Sequence, residues 1–143
     1  MGTRAEALLK EYSESHQNRT NQILHKVCVP MITVSLVGAL WALPKPAAFD
    51  SNWLNFGTIG IFLALIYYAT LGVKYFAKMV LMSAVVIGLV ALVPAAVLMP
   101  ASIAVFVVGW IGQFYGHKVE GKKPSFFKDL QFLLIGPLWV FRR

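Results

Sequence analysis

The sequence predicts an all-α integral membrane protein with about four transmembrane helices, an N-terminal amphipathic helix and a short C-terminal re-entrant or interfacial segment. Three observations carry that expectation. Of the 143 residues, 58% are hydrophobic and 13% charged, against about 45–50% and about 25% in soluble domains. Mean hydropathy is +0.68. The apolar residues gather in four long runs separated by short basic segments. The length suits a single domain over 1–143, with an N-terminal region at 1–26, the four runs within 27–116 and a tail at 117–143. An ordinary soluble fold, disorder, a coiled coil and a disulfide scaffold are excluded. Cys28 has no second cysteine to pair with and cannot by itself build a thiolate cage.

The N-terminal region places Ala5, Leu8, Leu9, Tyr12 and His16 at i, i+3, i+4, i+7 and i+11, one face of a helix. Glu6 and Lys10 form an i,i+4 pair on the solvated side. The region lacks the layout of a signal peptide. Asn21 and His25, four apart, also share a face. His16 and His25 are nine residues apart, half a turn out of phase at about 100° per residue. A break near Gln17-Asn18-Arg19-Thr20, with Asn18 or Thr20 capping a new helix, would fold the segment into a hairpin and return His16 to His25.

The apolar runs are Val27 to Leu43, Trp53 to Val73, Met79 to Met99 and Ala101 to Gly116. The middle two, of 21 residues each, can cross a hydrocarbon core of about 30 Å at about 1.5 Å per residue. The outer two are shorter, and Trp41, Trp110 and Tyr115 near their ends are the aromatics expected at an interface. Pro94 and Pro100 bracket the join between the third and fourth runs, which reads as a tight hairpin. Leu130 to Phe141 is too short to cross and holds Gly136-Pro137, hence the re-entrant or interfacial expectation.

The net charge of +7 is arranged as topology, which sets nucleic acid aside as a partner. Arg4, Lys10, Arg19 and Lys26 precede the first run, Lys74 and Lys78 separate the second and third, and six basic residues follow the fourth. Lys45 alone falls on the other side. The positive-inside rule then puts both termini in the cytoplasm, of a bacterial inner membrane or the endoplasmic reticulum.

An even number of crossings returns all three histidines, His16, His25 and His117, to that same cytoplasmic face. Gln113, Gly116, His117 and Glu120 fall at i, i+3, i+4 and i+7 and line one helix face. A histidine with a carboxylate three residues on can give two ligands to a metal, or one ligand and an orienting base. Taken singly, each feature has a plainer meaning: His16 as an interfacial residue, Glu120 as a solvated charge, Gly112 and Gly116 as a close-packing pair. Two or three imidazoles plus a carboxylate is the ligand set of mononuclear non-haem Fe(II) oxygenases, with Zn²⁺ chemically possible. Three histidines are too few for a membrane di-iron desaturase of the histidine-box type.

The ordered set Tyr12-x3-His16-x4-Asn21-x3-His25-x4-Pro30, then Gly116-His117-x2-Glu120-x3-Pro124, then Gly136-Pro137-Leu138, resembles the small membrane 2-hydroxy fatty acid dioxygenases of fatty-acid α-oxidation. The likeness covers nearly the whole chain, including the four intervening runs. Cys28 and Ser125 stand where that family more often has Gly and Ala. The resemblance implies an enzyme that uses Fe(II) and O₂ to shorten a long-chain 2-hydroxy fatty acid by one carbon with release of CO₂. It also implies that His16, His25 and His117 hold iron, with Glu120 as ligand or base and Tyr12, Asn21 and Gln113 as orienting partners. Lys26, Lys118, Lys122 and Lys123 are cations for the substrate carboxylate, or simply positive-inside residues. Two other classes stay open: a membrane electron-transfer protein with His25 and His117 as axial haem ligands, and a non-catalytic membrane scaffold.

Overall fold

A computed structural model describes residues 4–14, 17–121 and 135–139. His16, Lys122, Lys123, Pro124 and Ser125 lie outside the described residues. Five helices follow in order: α1 (Arg4–Glu14), α2 (Arg19–Ala42), α3 (Phe56–Ala69), α4 (Val73–Ala91) and α5 (Ala95–Glu120). A further helical segment occupies 135–139, and no strand occurs among the described residues.

Helix α1 buries Ala5, Leu8, Leu9 and Tyr12, the stripe that the spacing predicts, and leaves Glu6 and Lys10 exposed. The chain breaks before α2 where the polar tetrad predicts it. Asn18 is the cap: its Oδ1 accepts from the backbone N–H of Thr20 at 2.9 Å and of Asn21 at 3.4 Å, which satisfies donors that a helix start leaves without partners. From Arg19, α2 runs 24 residues, so the first span begins eight residues before its apolar run.

Three helices, α2, α4 and α5, are long and apolar enough to cross a membrane. The expected fourth, α3, has only 14 residues, about 21 Å at 1.5 Å per residue, short of a core of about 30 Å. Local chemistry trims it. Asn55 and Thr58 form a capping box at its start, and beyond Thr70 the chain passes through Gly72 at φ 132°, which side chains other than glycine rarely adopt. Even so, α3 connects the two ends of the bundle. Trp53, just before it, stacks edge-on with Trp41 of α2 at 5.8 Å, and Thr70, just after it, accepts a 2.7 Å hydrogen bond from Arg4. The hairpin between α4 and α5 also differs from expectation: Pro94 alone marks it, and Pro100 lies inside α5.

Helix α2 packs most extensively against α5, along a seam of small residues. A Cβ added at Gly38 would meet Ser102 Oγ, at Gly109 would lie 2.7 Å from Ile32 Cγ1, at Gly112 would meet Cys28 Sγ, and at Gly116 would meet Asn21 Oδ1. As positions rise along α5 their partners on α2 fall, so the pair is antiparallel. Ser102, Gly109 and Gly116 recur every seven residues, the repeat that keeps one face of a helix on its neighbour. In lipid, where apolar burial gives no preference for protein over acyl chains, such close approach holds helices together. Cys28 fills the notch that Gly112 leaves. Gly112→Ala should therefore destabilise the fold by about 1–3 kcal/mol through overpacking. The double variant with Cys28→Ala should recover most of it, because the new Cβ then sits 3.7 Å from Cys28 Cβ; thermal unfolding in detergent reads the cycle.

The outside of the bundle is apolar. Phe62, Leu63, Leu81, Ile111 and Phe114 are each more than half exposed, a surface that suits lipid and not water. At one end, Tyr12 of α1, Tyr68 and Leu71 from the end of α3, and Met79 of α4 form a buried cluster with Ile135, Leu138 and Trp139. The described part of the tail is thus buried against protein, where an interfacial segment would lie against lipid.

Candidate functional site

The antiparallel pairing sets the start of α2 beside the end of α5, and this juxtaposition assembles the site. Asn21 and His25, one turn apart on α2, are both buried, His25 to 2% exposure. From α5 come Gln113, Gly116, His117 and Glu120, whose shared face is the one turned to α2. Without a side chain at Gly116 the helices close until a Cβ there would lie 3.3 Å from His25 Cε1. The rings of His25 and His117 stand 5.8 Å apart, edge to face at 87°.

The Nδ1 of His25 lies 2.9 Å from the Asn21 carbonyl oxygen. A carbonyl only accepts, so in the neutral ring Nδ1 carries the proton and Nε2 presents its lone pair. Glu120, the last residue of α5, is engaged at the start of α2: its Oε1 accepts from Asn18 N–H at 2.9 Å and from Asn21 Nδ2 at 3.0 Å. A carboxylate there also meets the positive end of the α2 dipole. Glu120 thereby ties the two helix ends and holds the residue that orients His25. Gln113 Oε1 is buried and has no hydrogen-bond partner among the described residues.

Tyr12 brings α1 to the same place. Its ring lies 6.2 Å from that of His25 and 5.3 Å from that of Trp139, and a Cβ at Gly136 would stand 3.1 Å from its hydroxyl. Trp139 Nε1 donates to Ser13 Oγ at 2.7 Å, which ties the tail to α1. Sequence reasoning missed this pair; the signal was a lone tail tryptophan whose N–H needs a partner once buried.

Of the expected site residues, the structure brings together Tyr12, Asn21, His25, Gln113, His117 and Glu120. Lys26 and Lys118 are exposed on α2 and α5, each next in sequence to a site histidine. His16, Lys122 and Lys123 lie outside the described residues. Among the described residues no three of His, Cys, Asp or Glu gather as a metal-binding group; two imidazoles, one with its tautomer set by a backbone carbonyl, do meet. That donor chemistry fits a metal held by imidazoles. It fits a haem poorly, because the tight contact of Gly116 with Asn21 and His25 leaves no slot for a macrocycle between α2 and α5.

No curated protein and no solved structure matches this chain. A family model described as 2-hydroxy-palmitic acid dioxygenase Mpo1-like matches residues 3–143. The match runs through α1, every apolar helix and the tail, taking in all the residues that converge at this end of the bundle, and on that extent the chain belongs to the 2-hydroxy-palmitic acid dioxygenase Mpo1-like family.

Proposed function

We propose that this chain is a membrane dioxygenase that uses Fe(II) and O₂ to convert a long-chain 2-hydroxy fatty acid into the acid one carbon shorter, with release of CO₂. The observation that supports it most is the meeting of His25 and His117 at 5.8 Å, with His25 Nδ1 committed to Asn21, in a member of a family named for that substrate. The reaction balances without a further reductant. Substrate and O₂ together give the shortened acid, CO₂ and one water, and O₂ takes up all four electrons released.

His16, His25 and His117 would hold the iron. When bound, Fe(II) supplies the redox centre for O₂ and a Lewis acid that organises the hydroxy acid. The chain's own residues do the remaining work. Asn21 fixes the tautomer of His25, Glu120 fixes Asn21, and the buried Gln113 Oε1 would accept a hydrogen bond from the substrate hydroxyl. Lys26 and Lys118 draw the substrate carboxylate to the headgroup level, joined in this proposal by Lys122 and Lys123, while the acyl chain stays among the helices. This end of the bundle faces the cytoplasm, on the charge bias of the sequence.

Gas exchange tests the chemistry. With purified protein, Fe(II) and 2-hydroxypalmitic acid, O₂ uptake should equal CO₂ release with no reductant added. A requirement for an external electron donor, or O₂ uptake without CO₂, would overturn the proposal.

A further inference from the structure

An apolar groove of about 290 Å³ lies between α2, α3 and α4, with Thr33, Leu36, Leu40, Gly60, Met82 and Pro137 among its walls. We infer that this groove holds the acyl chain of the substrate and that its far end, at Leu40 and Gly60, sets the chain length accepted. The inference rests on the proposed 2-hydroxy fatty acid reaction for the identity of the chain's head.

Four observations carry it. The near end of the groove adjoins the site: Pro137 follows Gly136, whose position lies against Tyr12 Oη and Val29 Cγ1, and the Tyr12 ring is 6.2 Å from that of His25. The groove runs close to the side of α2 that carries His25, since Ile32, Leu36 and Leu40 of its walls come seven, eleven and fifteen residues later, all within about 60° of it at about 100° per residue. From His25 to Leu40 the helix rises about 22 Å at 1.5 Å per residue, a distance comparable to an extended palmitoyl chain. Leu36, in the groove wall, is 37% exposed at mid-helix, where the exterior is lipid-facing, so what enters from that side has come through the hydrocarbon layer.

The walls and size narrow the occupant further. The hydroxyl of Thr33 is turned back onto the Val29 carbonyl at 2.9 Å, which leaves that wall apolar. A volume of about 290 Å³ lies just under the ~300–1,000 Å³ range of ligand sites, room for a single alkyl chain. At the far end, a Cβ on Gly60 would already lie 3.4 Å from Leu40 Cδ1, so any larger side chain there shortens the groove.

The test gives full-length protein in detergent a graded mixture of 2-hydroxy fatty acids, from medium to very long chain, and compares wild type with Gly60→Leu and with Phe62→Ala on the lipid face of α3. Gly60→Leu should lower the ratio of long-chain to medium-chain kcat/KM by tenfold or more, the scale that one excluded methylene can reach, while Phe62→Ala keeps the wild-type ratio. A second arm needs no turnover: Leu36→Cys is labelled with a lipid-permeant maleimide under argon, with and without 2-hydroxypalmitic acid. Protection of that thiol, set against no protection in Phe62→Cys, supports the groove. An unchanged ratio in an active Gly60→Leu protein, or equal labelling with and without the acid, overturns the inference and leaves the dioxygenase reading standing. Protection of Leu36→Cys, together with a wild type that turns nothing over, would instead retain the chain site and reject the reaction.

Discussion

His117→Ala should leave a folded, monodisperse protein that no longer retains stoichiometric Fe(II) and has lost more than about 100-fold of its turnover, beyond the 10–100-fold expected when only an orienting partner is lost. The fold should survive because His117 is only partly buried and the α2–α5 seam is made by Gly38, Ser102, Gly109, Gly112 and Gly116. Lys118→Ala, one residue on and exposed, is the matched control and should keep its iron. Metal analysis of both proteins after identical anaerobic loading and desalting checks this. Equal iron in the two would remove His117 from the proposed iron ligands.

Gly116→Ala should be nearly as damaging for a different reason. The added Cβ would meet Asn21 Oδ1 and lie 3.3 Å from His25 Cε1. To relieve that contact, either the helices part or the Asn21 side chain leaves its hydrogen bond to Glu120, and both shift His25. A displacement of about 1 Å at a catalytic centre can cost about 100-fold in rate, and the overpacking itself about 1–3 kcal/mol. Gly112→Ala disturbs the same seam one turn away, against Cys28. At a matched loss of thermal stability, Gly116→Ala should show the far larger loss of turnover. Equal activity losses in the two variants would show that the seam matters only for stability.

The parts of this fold that were legible in the sequence are those set by local chemistry. The α1 stripe, a helix cap at Asn18 or Thr20 and the Gln113–Glu120 face follow from spacing alone, because helical periodicity and side-chain capping involve neighbours in the chain; the structure selects Asn18. The length of α3 was not legible as a break in hydropathy: Asn55, Thr58 and Gly72 decide it through capping and backbone conformation, while the apolar run continues across them. Pro100 was misplaced for a related reason, since Pro94 already ends the hairpin and leaves Pro100 within α5.

In the site, the glycines announced close packing but not against what. Only the antiparallel register reveals that Gly112 receives Cys28 and Gly116 receives Asn21 and His25. The role of Glu120 likewise depends on a partner 102 residues away at Asn18, and the Trp139–Ser13 bond spans 126 residues. Such pairings are products of tertiary packing, and no local spacing rule carries them.

The most direct measurement is a single-turnover assay. The protein is purified in detergent without oxygen, loaded with Fe(II), given 2-hydroxypalmitic acid and then O₂, and the fatty acids are read by mass spectrometry. Wild type should yield the acid one carbon shorter, and His117→Ala should yield none. No shortened acid from a wild type that holds its iron, or equal product from both proteins, would contradict the assignment of this site to the oxidative removal of one carbon.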